Sequence, residues 1–461
     1  MNHKLKLITL SSLIITGCAN NPISSYKDKT TSRLNTIYSG NILNAMQAES
    51  SDDVLFNMEY GTLLRVGQMY ESSNIYFTKA QTSIDNWNTS WINTTPGQIT
   101  TTTMAMLIND NVNDYEPKGY ERTFLPTLHA LNNIDLNNLD TARIEIKKMY
   151  QTEDAIQNYN QVMYAKAQEE STTYQKDNSQ QALYNQIMKL YDFKDINSPQ
   201  VLTLKNSYQN AFSHYLAGFI FEALNEPSLA RPGYSKAGQL NPTSKLIQHS
   251  IDNLDKNIKP KKGYTDLLIV EEIGHAPVVK SNQINLTIPA SQIGNSENSC
   301  PVVINIFYPS LILDKNNSNS YNFNIDANSI TPDPMVDLNL MAARAIKDDI
   351  PHITSRNIAA ALRNITTTQL SCAAGGSIGS LLNLASNVGG ILLDQADERN
   401  WNLLPGKVNI SRTTLPYGTH SVSVKINGNN YTQNIKLDKP YQVITFRIIG
   451  NQVYFNPQKS M

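Results

Sequence analysis

Ala217-Gly218-x-x-Phe221, then Ala230-x-x-x-Tyr234-x-x-Ala237, then Leu240-Asn241-Pro242 is the stretch on which the fold turns. Small residues at Gly218 and Ala230, twelve positions apart, let two antiparallel helices approach closely. Tyr234 fills the groove beside that crossing, and Pro242 stops the second helix. The same offset recurs at Gly61 and Ser73, followed by Phe77 and Ala80, and at Ala130 and Ala142, followed by Ile146 and Met149. Gly61 lies 69 residues before Ala130, close to two periods of about 34, so a degenerate helix pair is expected around Ile84–Asn113. The next interval, 88 residues, breaks the period and predicts longer helices between Asp154 and Ser207.

Around these crossings, from Leu34 to Leu246, apolar residues recur at three and four. Examples are Ile144, Met149, Ile156 and Tyr159, or Leu183, Ile187, Leu190 and Tyr191. The pattern resembles a tetratricopeptide (TPR) repeat, with small residues where helices A and B touch, an aromatic in the next turn and Pro at the end of helix B. That resemblance implies a solenoid with a concave groove. The phase of the third unit then sets Tyr215, Phe219 and Glu222 on helix A toward that groove, as candidate binding residues.

Beyond Lys259-Pro260-Lys261-Lys262-Gly263 the composition changes to strand-like runs: Asp266–Val270, Gln283–Ile288 and Pro301–Tyr308. Asp314–Asp326 is Asn- and Ser-rich and reads as a turn-rich insertion. Ser421–Ile426, a turn at Asn427–Asn430, and Tyr431–Leu437 make a hairpin, followed by strands at Gln442–Ile449 and Gln452–Phe455. Between the β segments, Val336–Lys347 and Ser355–Leu370 read as amphipathic helices. Leu370–Leu393 then carries no charge for 24 residues and is dense in Gly and Ala. Its length would allow a membrane span, but Asn383, Asn387 and the glycines favour a helix buried in or packed on the β domain, with an oligomer interface as the alternative. The expected class is α+β: a TPR-like α-helical solenoid at 32–258, then a small antiparallel β domain at 259–461 with a helical insertion at 334–396.

The first residues carry a different signal. Lys4 and Lys6 precede the apolar run Leu7–Ile15, and Ile15-Thr16-Gly17-Cys18 closes it. Resemblance to the bacterial lipobox implies cleavage after residue 17 and lipidation of Cys18. Residues 18–31 would form a tether, and Ala19 in place of Asp implies the outer membrane. Cys300 and Cys372 are the remaining cysteines, and an oxidising periplasm permits a disulfide that spacing alone cannot assign. With 38 basic against 39 acidic residues the chain lacks the basic excess of a nucleic-acid binder. A mean hydropathy of -0.37 excludes a polytopic membrane protein.

No clustered Cys/His spacing points to a metal, and no Walker-type or GxGxxG glycine pattern points to a nucleotide, so no cofactor is expected. Gly375-Gly376-Ser377-Ile378-Gly379 fits a hydrolase nucleophile elbow, with His420 and Asp394 or Asp397 as partners in the allowed order. However, Thr366-Thr367-Thr368-Gln369 before it is no core strand, and the match is cheap in so Gly-rich a segment. In Ala396–Gly406, Asp397 and Arg399 are placed to pair, and Trp401 with Leu404 to pin the apolar helix to the final sheet. The lipobox, the TPR-like helices, Tyr120-Glu121-Arg122, Glu271-Glu272-x-Gly274-x-Ala276-Pro277 and Asp397-x-Arg399-x-Trp401-x-x-Leu404-Pro405 together resemble a family of uncharacterised proteobacterial outer-membrane lipoproteins. This implies a non-enzymatic interaction scaffold held in the membrane by its lipid and facing the periplasm. Its partner would be an envelope protein, and its role would lie in envelope or cell-wall biogenesis. A structural subunit of a secretion or envelope complex is the alternative, ahead of a serine hydrolase using Ser377.

Overall fold

The small-residue pairs are helix crossings in the computed structural model, which describes residues 32–45, 53–92, 115–176, 178–191, 194–289, 301–314, 320–374 and 396–455. Two short helices, α1 (32–38) and α2 (Ile42–Ala45), lead into α3 (Val54–Val66) and α4 (Tyr70–Ile92). Then come α5 (Gly119–Asp135), α6 (Leu139–Lys176), α7 (Asn178–Leu190), α8 (Pro199–Thr203), α9 (Ala211–Ala223), α10 (Pro227–Leu240) and α11 (Lys245–Asp255). Helices α3/α4, α5/α6 and α9/α10 form three tight hairpins, joined side by side through α4–α5, α6–α9 and α10–α11. The 38 residues of α6, with α7 and α8 behind it, account for the long third interval. Residues 93–114, where most of a degenerate pair was expected, lie outside the described residues.

One geometry repeats in each hairpin. The residue seven positions after the small one is left-handed: Gln68 (φ 66°), Asn137 (φ 59°) and Asn225 (φ 58°). Its N–H and the next one bond back into the last helical turn, as Asn225 to Glu222 and Glu226 to Phe221, which closes the first helix and reverses the chain. Helix α11 repeats the first half only. Asn257 (φ 50°) follows Ser250 by seven, and the chain then leaves for a strand. At the crossings, a Cβ on Gly61 would fall 2.5 Å from the Phe77 ring, and one on Gly218 2.5 Å from the Tyr234 ring. We therefore expect Gly218→Ala to destabilise by about 1–3 kcal/mol through overpacking. A urea melt in which Ala instead stabilises by about 1 kcal/mol, as helix propensity alone would give, contradicts so close a crossing. Ile144, expected in the apolar stripe of α6, is 52% exposed; the buried stripe runs through Ala142, Ile146, Met149 and Ile156.

The α+β class holds, but the sheet is not wholly antiparallel. β1 (Tyr264–Ile273) lies at the centre of a five-stranded sheet ordered β11-β10-β1-β7-β6, parallel to β10 (Tyr441–Ile449) and antiparallel to β7 (Lys407–Pro416). Parallel neighbours need a long crossover, and here everything between β1 and β10 supplies it. The outer strands are β6 (Asp333–Asp337) and β11 (Gln452–Phe455). A second sheet, antiparallel, is ordered β5-β4-β8-β9, with β4 (Tyr321–Ile325), β5 (Asn328–Ile330), β8 (Gly418–Ile426) and β9 (Asn429–Leu437). The β8–β9 turn is the two-residue Asn427-Gly428, both left-handed, as the right-handed strand twist favours. β4 lies inside the stretch expected to be turns, where Phe323 and Ile325 alternate inward. β6 and β7 were not foreseen as strands, because Pro334 and the polar Asn409-Ile410-Ser411-Arg412 mask their pattern.

β1 is buried on both faces, which is why it reads as a continuous apolar run. Leu267 and Ile269 pack between the two sheets, while Leu268 and Val270 join the core made with the helices. The helical hairpins, the five-stranded sheet and the four-stranded sheet are therefore three layers, and the first two share one core. A separate unit combines the hairpin of β2 (Val278–Ile288) and β3 (Val302–Ile312) with α7 and the long α12 (Leu338–Ala374). Two helices were expected along α12; it runs on through Pro351 as one. Asn357 ties α12 to the hairpin by donating to the Phe307 carbonyl (2.8 Å) and accepting its N–H (3.3 Å).

Candidate functional site

The segment Trp401-Asn402-Leu403-Leu404, just before β7, lies against α3 and α5 with no strand to pair its amides. Two buried carboxylates take them instead. Glu121 on α5 accepts the Trp401 N–H (2.6 Å), and Glu59 on α3 accepts those of Asn402 (2.7 Å) and Leu403 (3.1 Å). Glu121 also accepts from the Tyr115 hydroxyl and from the Lys118 N–H (2.7 Å). Burial raises its proton affinity; these three donors pull the other way without cancelling it. The Trp401 ring has no exposed surface, stands edge-on to Phe77 and donates Nε1–H to the Thr62 hydroxyl (2.9 Å). Trp401 therefore pins this loop to the helices; residues 375–393 of the apolar segment that it was expected to tie to the final sheet lie outside the described residues. Asp397 and Arg399 do pair, at 2.8 Å.

Adjacent residues on a strand point to opposite faces, so Glu271 and Glu272 on β1 do different things. Glu272 faces the helices and lies between Arg65 (3.0 Å) and Arg447 (3.2 Å). Arg65 also meets Asp135 (3.2 Å) and Asn132 (2.8 Å), so the cluster holds two cations and two anions. Arg447 donates further to the carbonyls of Gly274 (2.7 Å) and Leu403 (2.8 Å), holding the Trp401 loop from its other side. Burial works against the charge on Glu272, but the two guanidinium groups outweigh it and keep its carboxyl below the usual range.

A second charged cluster centres on Arg412 of β7. Its guanidinium donates to Asp266 (2.8 and 2.6 Å), to Glu222 (3.0 Å) and to the Tyr234 hydroxyl (2.9 Å), and it lies 5.0 Å from the centre of the Phe219 ring. Tyr215 and Phe219 are fully buried, and Glu222 nearly so. All three candidate groove residues thus face the chain's own sheet. That face is covered by β1, β7 and the Trp401 loop. The carboxylates and guanidiniums spend their hydrogen bonds on one another, and the arrangement clamps the helices to the sheet. Glu59, Arg65, Glu121, Arg412 and Arg447 were not singled out as site residues from sequence. The available cues were charge inside otherwise apolar strands, at Glu271, Glu272 and Arg447, and Glu121 within the Tyr120-Glu121-Arg122 motif.

Glu271 points the other way, between the sheets, where it accepts from Ser411 (2.9 Å) and from the Tyr321 hydroxyl. Burial, only partly offset by these two donors, pushes its carboxyl up to about 7. The folded state then holds a proton that the unfolded state releases above about pH 4.5. Stability from this site is fully present below that value and falls as pH rises through about 7, a loss of about 3 kcal/mol. Glu271→Gln is expected to abolish that slope. Urea melts of both proteins at pH 5 and pH 8 check it, and equal losses in the two would contradict it.

The hydrolase arrangement is not assembled among the described residues. His420 faces Asp326 through Nδ1 (2.5 Å) and the Pro416 carbonyl through Nε2 (2.8 Å), with an acceptor on each nitrogen. Burial lowers its proton affinity, but these two partners raise it more and hold the ring above the usual imidazole range. Asp397 is engaged by Arg399. Ser377, Asp394, Cys18 and Cys300 lie outside the described residues, as does the side chain of Cys372, and with them the Cys300–Cys372 pairing. Residues 375–393 of the Gly/Ala-rich stretch also lie outside them; among the described residues no helix is long and apolar enough to cross a membrane. No group of three or more His, Cys, Asp or Glu among the described residues is placed to hold a metal ion.

No family model matches the chain, and no curated protein matches it. Among solved structures, a tetratricopeptide repeat protein from Parabacteroides merdae ATCC 43184 is similar in part. It is 13% identical, with the match covering 50% of this chain and 99% of that one, and the TM-score of 0.12 is too low to bear on the fold.

Proposed function

We propose that this chain is a non-enzymatic scaffold of the bacterial envelope, anchored by lipid on Cys18 to the periplasmic face of the outer membrane. Its helical hairpins form a short TPR-like solenoid that binds a protein partner, with a role in envelope or cell-wall biogenesis. The observation that carries the reading is the repeated hairpin, with the same left-handed turn in three units and a glycine against an aromatic ring at the crossing of two. Because the face bearing Tyr215, Phe219 and Glu222 is covered by the sheet, the partner docks on the outer faces, where Met69, Ile75 and Ile144 are exposed. A second reading, a subunit of a secretion or envelope complex, is favoured by the uncharged stretch Leu370–Leu393, which suits an oligomer interface. Crosslinking and pull-down from native membranes separates them. Cell-wall synthases or their regulators are the expected catch, whereas recovery of the chain alone supports the second reading. For the anchor, Cys18→Ser should release the protein from the outer-membrane fraction, and unchanged fractionation would refute lipidation.

A further inference from the structure

The chain is almost neutral, yet one pole of the molecule is not. Lys256, Lys259, Lys261 and Lys262 lie within seven residues of the connection from α11 to β1, and all four are exposed. The acids around them have cations of their own: Asp255 meets Arg231 (2.8 Å), Asp438 meets Lys436 (3.2 Å), Asp266 shares Arg412 (2.6 Å) with Glu222, and Asp252 lies one turn before Lys256. Lys259 donates to an amide oxygen, that of Asn225, so its charge stays uncompensated.

Exposed apolar side chains share this pole. Ile258 is 52% exposed, and Tyr264 and Tyr417 are each 40% exposed. The two tyrosines are held together, because Tyr264 pairs with Pro416 and the Tyr417 N–H bonds to the Gly263 carbonyl (2.7 Å). Lysines ringing two tyrosines and an isoleucine suit the boundary of a lipid bilayer. The ammonium groups meet lipid phosphates, and the amphipathic rings sit at headgroup depth.

We propose that the Lys256–Tyr264 pole, with Tyr417, is a docking surface for a bilayer containing anionic phospholipid. It is independent of the lipid on Cys18. Helix α1 packs at the opposite end of β1, where the Tyr454 hydroxyl bonds to the Ile37 carbonyl (2.9 Å), about 33 Å away along a ten-residue strand. A molecule lying along the membrane brings both ends to one bilayer.

The test uses the chain from residue 18 onward with Cys18→Ser, which keeps every described residue and carries no lipid. It should sediment with vesicles of phosphatidylcholine containing about one third phosphatidylglycerol, and not with phosphatidylcholine alone. Binding should weaken as salt rises from about 0.1 to 0.5 M. Lys259→Glu, Lys261→Glu and Lys262→Glu together should lower partitioning by at least about 100-fold, at roughly a factor of five per lysine. These exposed positions leave the fold intact, which an unchanged melt confirms. The proposal is overturned if the parent chain ignores the anionic vesicles, if the triple variant binds them equally well, or if dextran sulfate captures the chain through these lysines while vesicles do not.

Discussion

Trp401→Ala should destabilise the fold by about 3–5 kcal/mol, among the largest effects of any single truncation in the molecule. The indole is buried without exposed surface at the junction of the helices and the sheet, so its loss leaves a cavity that neither layer can collapse into. The Thr62 hydroxyl also loses its donor. Trp401→Phe separates the two terms. It keeps most of the packing, and the hydroxyl loses the indole N–H while still donating to the Met58 carbonyl (2.9 Å), so about 1–3 kcal/mol is expected. Urea unfolding followed by far-ultraviolet circular dichroism measures both. A cost below about 1 kcal/mol for the alanine variant would mean that the loop does not hold the layers together.

Glu272→Gln is the second large effect, again about 3–5 kcal/mol, because it leaves two buried guanidinium groups facing each other without the anion between them. Asp135, Asn132 and two backbone carbonyls remain to Arg65 and Arg447, but together they carry one negative charge against two positive. The pH dependence follows from the lowered carboxyl. Stability from Glu272 is present above its unfolded value, about 4.5, and is lost as pH falls through the lower folded one. The variant should therefore lie closest to wild type at the acid end and fall furthest behind near neutrality. A constant gap from pH 3 to pH 7 would contradict the charge argument and leave only a packing effect.

The helices were legible because their crossings need small residues at fixed spacing. Gly61 with Phe77 and Gly218 with Tyr234 are the contacts that the twelve-residue offset implies. The β8–β9 hairpin was legible through Asn427-Gly428, and β1 through its apolar run. Other features depend on partners far along the chain, which local pattern cannot carry. β7 reads as polar because Asn409, Ser411 and Arg412 satisfy Tyr321, Glu271 and Asp266. The parallel place of β10 beside β1 is fixed only once β8 and β9 have left for the second sheet. The candidate site was legible only in outline. Tyr215, Phe219 and Glu222 could be phased on α9, but their neighbour Arg412 is 190 residues from Glu222, and Glu59 and Asn402 are 343 apart.

The chain's own loop and sheet close the inner face of the helical hairpins, through amides received by Glu59 and Glu121. Native-state hydrogen exchange at the amides of Trp401, Asn402 and Leu403 tests it most directly. The structure predicts that all three exchange only through global unfolding, with the same opening free energy as the core of β1. Exchange within minutes, at rates close to those of an unprotected chain, would show that the loop leaves the helices while the protein stays folded, and that their inner face is open.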